Sequence, residues 1–163
     1  MKKIITLFAI VGLLSLQSCT VQDNLDADTI SEVFEVTRSF NTSNNFSTVV
    51  DLNPSIFDSD VVLVYRLSAV FQGQDVWTLV PENFYFDNGT LDFGYRFDFT
   101  RNDINVYMVG NNLQSVSTDF RVNQVLRIVI VPGNFSIAVD KNNYNEVIAA
   151  LNVKEKDIQK IEF

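Results

Sequence analysis

Apolar and polar side chains alternate with period two through most of the chain between residues 32 and 139. In LDFGYRFDFT, Leu91, Phe93, Tyr95, Phe97 and Phe99 alternate with Asp92, Gly94, Arg96, Asp98 and Thr100, as in a strand that buries one face. Aromatic and β-branched residues favour the same state. Just upstream, Asn88-Gly89 supplies the positive φ angles of a tight turn, so segment 83–86 is expected to pair antiparallel with 91–99.

Further strands are expected at 33–40 and 46–52, separated by the loop NTSNN and ended by Asn53-Pro54. Segment 60–71 is apolar on both faces through Tyr65, which predicts a central strand. The turn QGQ leads from it to a strand at 76–80, which Pro81 ends. Segments 104–110, 125–132 and 135–139 complete the set. With turns this frequent and no crossover helices, the pattern predicts an all-β fold, an antiparallel β-sandwich of about eight strands. Near the end the period changes. Tyr144, Val147, Ile148 and Leu151 form a helical stripe, with Asn142 or Asn143 as cap and Glu146 in the first turn. This predicts one C-terminal amphipathic helix docked on the sandwich. The tail after it, with Ile158, Ile161 and Phe163 apolar, is expected to form a short turn or an edge strand.

Composition adds mainly exclusions. The 163 residues suit one domain with appendages, and 14 Phe with 47% apolar residues can fill a core. A net charge of −8 repels phosphate backbones, so nucleic acid is not an expected partner. The absence of His removes Ser-His-Asp, Cys-His and His-metal arrangements, and a lone cysteine, Cys19, allows neither an intrachain disulfide nor a cysteine zinc site.

The first 18 residues read as an export signal: Lys2 and Lys3 precede an uncharged apolar run, IITLFAIVGLLSL, at 4–16. At 13 residues that run is too short to span a bilayer core of about 30 Å. Its end, Leu16-Gln17-Ser18-Cys19, resembles the lipobox of bacterial lipoproteins, with an apolar residue at minus three and a small one at minus one; Gln17 departs from the usual residue at minus two. The resemblance implies a diacylglyceryl group on the Cys19 thiol, cleavage before Cys19 and acylation of the new amino terminus. Two or three acyl chains anchor stably where one does not. Cys19 is then a lipidation site rather than a nucleophile, and the membrane is a partner through its acyl chains.

Residues 19–31 read as the lipidated Cys and an acidic tether, carrying Asp23, Asp26 and Asp28. Acidic residues there resemble the surface-export signal of Bacteroidota lipoproteins. Asp28-Thr29-Ile30 matches the O-glycosylation pattern of that phylum, which makes Thr29 a candidate modification site; an ordinary tether accounts for it equally. Removal of residues 1–18 leaves 10 basic and 20 acidic residues.

Residues 32–163 form the expected domain. DVVLVYRL, the single Trp77, GTLDFGYRFDFT, VLRIVIVPGNF and NNYNEVIAALNVKEKDIQKI together resemble the uncharacterised C-terminal domain of Bacteroidota outer-membrane lipoproteins. In relatives that domain often follows collagen-like repeats, which this chain lacks. The resemblance implies an outer-membrane, lipid-anchored protein facing periplasm or exterior, and it brings no activity with it.

No catalytic motif is found, and no cofactor or metal is expected. Asp58 and Asp60 flank Ser59, and Asp87, Asn88 and Asp92 surround the hairpin turn; calcium needs six to eight ordered oxygens, so turn chemistry explains both groups better. By alternation Tyr65 and Tyr95 belong to the core, whereas Trp77 and Tyr107 point away from Val76 and Val106 and are the candidate ligand contacts. The expected function is a non-enzymatic binding or structural module of the cell envelope, with a glycan or an envelope protein as partner. The alternative is a small glycan hydrolase using paired carboxylates.

Overall fold

The computed structural model describes residues 32–133, 135 and 139–161. The described residues form an all-β sandwich of nine strands with one α-helix. The strands are β1 (Glu32–Arg38), β2 (Ser47–Asp51), β3 (Val61–Phe71), β4 (Gln74–Leu79), β5 (Glu82–Tyr85), β6 (Leu91–Phe99), β7 (Asp103–Gly110), β8 (Gln124–Val131) and β9 (Gln159–Ile161), and the helix is α1 (Tyr144–Ala150). One sheet has the order β4-β3-β8-β1-β9 and the other β2-β7-β6-β5. Among the described residues no helix is long and apolar enough to cross a membrane. The N-terminal segments carrying Cys19 and Thr29, most of the strand expected at 135–139, and Phe163 lie outside the described residues.

Alternation decides which side chains meet between the sheets. Phe34 and Val36 of β1, Val62 and Val64 of β3, and Leu126, Ile128 and Ile130 of β8 point inward. They pack on Val50, Phe93, Tyr95, Ile104, Val106 and Met108 of the second sheet. The other face of the first sheet is also apolar: Val33, Leu63, Tyr65, Val129 and Val131 lie under Tyr144, Val147 and Ile148 of α1 and under Ile158. That second cover is why β3 and β8 read as continuous apolar runs. It places Tyr65 beneath the helix rather than between the sheets.

The chain crosses from the first sheet to the second between β4 and β5, and a charged pair fastens the crossing. Arg66 of β3, 4% exposed, donates from Nε and Nη2 to both oxygens of Glu82 on β5, at 2.8 and 3.0 Å. The guanidinium also stands 4.9 Å from the centre of the Tyr95 ring and donates to Gln124.

One local expectation is corrected. At the β5–β6 hairpin Gly89 alone takes a positive φ, 82°, and the loop is one residue longer than a two-residue turn: Gly89 N donates to Phe86 O and Phe86 N to Thr90 O. This is a type I turn followed by a left-handed glycine, stabilised by Asn88 Oδ1, which accepts from Thr90 N and Oγ1. The pair of positive φ angles occurs instead at Gln72 and Gly73, 52° and 78°, in the two-residue loop joining β3 to β4. The tail forms both expected elements, a 3-10 turn at Glu155–Asp157 and then β9. β9 pairs parallel to β1, Phe34 opposite Gln159 and Val36 opposite Ile161; because β8 runs antiparallel to β1, β9 starts at the end of the sheet where β8 leaves it.

Candidate functional site

The outer face of the first sheet carries a row of residues that are direct cross-strand neighbours over all five strands: Leu79, Tyr65, Arg127, Glu35 and Lys160. Neighbours in such a row are close enough to interact. Arg127, 2% exposed, donates to the carboxylate of Glu35 and to the hydroxyl of Tyr144, and reaches Glu155 at 2.8 Å. Tyr144 itself donates to Glu155 at 3.1 Å. Burial works against the Arg127 charge, but its hydrogen bonds to Glu35 and Tyr144 outweigh that penalty and hold its pKa above the ordinary value. Burial pushes the Tyr144 hydroxyl far above its usual range, opposed by the neighbouring Arg127.

Helix α1 delivers Tyr144 because its start is well capped. Asn143 Oδ1 accepts from Glu146 N, the cap anticipated at this position, and Asn143 Nδ2 donates to Glu146 Oε1 at 2.8 Å. The hydroxyl of Tyr65 donates to Lys141 O at 2.6 Å and ties the approach to the helix onto β3.

Trp77 completes the arrangement. It lies on β4, an edge strand, two residues before Leu79 and therefore on the same outer face. The Arg127 guanidinium stands 4.0 Å from the centre of the indole, and the Tyr144 ring is 5.6 Å from it. Because the guanidinium is buried, it occupies the inner side of the ring and fixes its orientation. The indole is half-buried, and its accessible part borders two adjoining depressions. One, of about 400 Å³, is lined by Asp140 and Asn142 among others; the other, of about 370 Å³, is lined by Gly73, Gln74 and Glu155. Asp75, Trp77, Tyr144 and Asn145 border both, and among the described residues no lysine or arginine lines either. The groove is thus one aromatic wall surrounded by carboxylates and carboxamides, acceptors and donors suited to hydroxyl groups.

The structure places the other sequence candidates elsewhere. Tyr107 alternates with the buried Val106 and Met108 and stands half-buried beside Ser47 and Arg96, on the outer face of the opposite sheet. Trp77 and Tyr107 therefore do not share a platform. Tyr85 is 61% exposed. Asp58 is exposed and pairs with Arg101 at 3.2 Å; Asp60 is buried and accepts from Phe57 N at 2.9 Å, as turn chemistry requires. Asp87 and Asp92 belong to the β5–β6 hairpin. Among the described residues no three His, Cys, Asp or Glu side chains are grouped to hold a metal ion.

The sequence reading missed Tyr144, Arg127 and Glu35 as parts of a site. Tyr144 looked like any other residue of the helical stripe. An arginine inside VLRIVIVP and a glutamate inside VFEVTR were the available signal, because charges in otherwise apolar strands must find partners. No family model, no curated protein and no solved structure matches the chain.

Proposed function

We propose that the protein is a lipid-anchored lipoprotein of the bacterial outer membrane whose sandwich binds a neutral glycan in the groove beside Trp77, without cleaving it. The observation that carries the binding reading is the indole held against buried Arg127 with its accessible part in a groove of Asp and Asn side chains. A sugar ring offers an apolar C–H face to an aromatic surface and a rim of hydroxyls to carboxylates and carboxamides. The lack of lining basic residues among those described, together with a net charge of −8, disfavours anionic ligands.

The anchoring reading is supported by Lys2-Lys3, the apolar run at 4–16 and Leu16-Gln17-Ser18-Cys19. On this reading residues 1–18 are removed, Cys19 carries the acyl chains, and 19–31 tether the domain. Cys19→Ala is expected to abolish metabolic fatty-acid labelling and to leave an uncleaved precursor on a gel. Labelling that persists refutes the assignment.

The binding reading predicts that Trp77→Ala weakens neutral-glycan binding by about tenfold or more, the equivalent of ~1.4 kcal/mol, while Tyr107→Ala leaves it unchanged. Titration calorimetry measures both, and Trp77→Phe, which keeps an aromatic face, should retain most of the affinity. Release of reducing ends by the wild-type protein, lost in Asp75→Asn, would instead establish the carboxylate-dependent hydrolase.

A further inference from the structure

Resting on the glycan-binding reading, we infer that the groove takes an internal stretch of a neutral oligosaccharide chain, with Trp77 standing between two successive sugar positions. The two depressions share Asp75, Trp77, Tyr144 and Asn145, so they are halves of one continuous groove divided by the indole rather than separate sites. Each half, at about 400 and 370 Å³, lies at the small end of ligand-sized sites. Neither half is an enclosed cavity, so a chain can enter along one and leave along the other.

Each half has its own polar groups. In the first, Asp140 Oδ1 accepts from Asn142 N and Nδ2 at 3.0 and 3.1 Å, which sets the Asn142 carboxamide and the Asp140 carboxylate side by side, a spacing suited to two neighbouring hydroxyls. In the second, Gln74, the first residue of β4, is exposed. Glu155 keeps a 64% exposed side chain there even though its Oε1 is engaged by Arg127 and Tyr144. Among the described residues three carboxylates, Asp75, Asp140 and Glu155, and no basic side chain border the path. A chain of uronic, sulfated or phosphorylated sugars would place negative charge against them without compensation.

The test titrates the full-length protein in detergent with α- and β-linked oligomers of glucose, mannose, galactose and N-acetylglucosamine, one to six units long, and with oligogalacturonates of the same lengths. For at least one neutral series, affinity should rise at least tenfold from one unit to three or four and then level off. The matched anionic chains should bind at least tenfold more weakly. Asn142→Ala and Gln74→Ala, at exposed positions in opposite halves, should each shorten by one unit or more the length at which affinity levels off. Equal affinity for one and four units, with Trp77→Ala still weakening both, overturns the chain inference and leaves the glycan reading standing. Equal or tighter binding of the anionic chains overturns neutrality. No binding of any neutral series, by a protein whose circular dichroism shows it folded, overturns the glycan reading itself.

Discussion

Arg127→Ala is expected to lower the unfolding free energy by about 3–5 kcal/mol, because it strands a buried carboxylate. Glu35 is 8% exposed, and beyond Arg127 the cation near it is Lys160 at 3.9 Å, a side chain that is itself 78% exposed. The same substitution leaves the Tyr144 hydroxyl with Glu155 alone and removes the cation that holds Trp77, so glycan affinity should fall with stability. Urea unfolding followed by tryptophan fluorescence measures the first effect as a drop in midpoint at unchanged slope. The double variant Glu35→Leu with Arg127→Met should recover most of the stability, since apolar replacements of a buried ion pair are often neutral or stabilising. It should not recover the binding. A single variant as stable as the wild type would show that the pair contributes no net stability.

A second large effect is expected in alkali. Tyr65, Tyr95 and Tyr144 are 0%, 0% and 6% exposed, and burial raises the pKa of each above 10. Tyr95 is pushed up to about 12 by desolvation, with Arg66 opposing and Glu82 reinforcing the rise. An unfolded tyrosine titrates near 10, so between pH 10 and 12 the folded protein holds more protons than the unfolded chain. Stability is therefore fully present below pH 10 and falls as pH rises through this window, by up to about 1.4 kcal/mol per pH unit for each tyrosine. Urea midpoints recorded from pH 8 to pH 12 should drop steeply above pH 10. Tyr95→Phe removes one ionisable group together with its hydrogen bond to Phe120 O, so it should be less stable than the wild type at pH 8 yet lose less on going to pH 12. A midpoint that stays constant to pH 12 would contradict the burial of these hydroxyls.

The strands of the sandwich were legible because their cause is local. Leu91 to Phe99 alternate in sequence because one face of β6 packs on the opposite sheet, and the stripe of Tyr144, Val147 and Ile148 repeats at helical spacing because one side of α1 is covered. The Asn143 cap and the proline stops at Pro54 and Pro81 were legible for the same reason. The turn at Asn88-Gly89 was half-legible: the dipeptide marks a hairpin, but loop length depends on register, and here Asp87 joins it to make three residues. Apolarity on both faces of β3 identified a central strand without revealing that its second cover is a helix lying some 80 residues downstream in the chain.

The candidate site was legible only as Trp77. Alternation tells which way a side chain points from its own strand: Tyr107 does lie opposite the buried Val106, but on β4 Val76 is the exposed residue, at 39%, and Trp77 is half-buried against the cluster under α1. Alternation carries no information on which sheet a strand joins, so the two residues ended on opposite outer faces of the sandwich.

By itself, then, the amino-acid pattern determined the main strands, the capped helix near the C-terminus, the lack of histidine chemistry and the acidic charge, since each of these depends on a residue and its near neighbours. Only the tertiary structure decided that β4 lies at an edge, that Arg127 and Glu35 face each other from β8 and β1, and that Tyr144 comes to rest beside Trp77. Those juxtapositions are set by strand order and by where α1 docks, long-range choices in which many burial and pairing energies are weighed together, and no short window of sequence contains them.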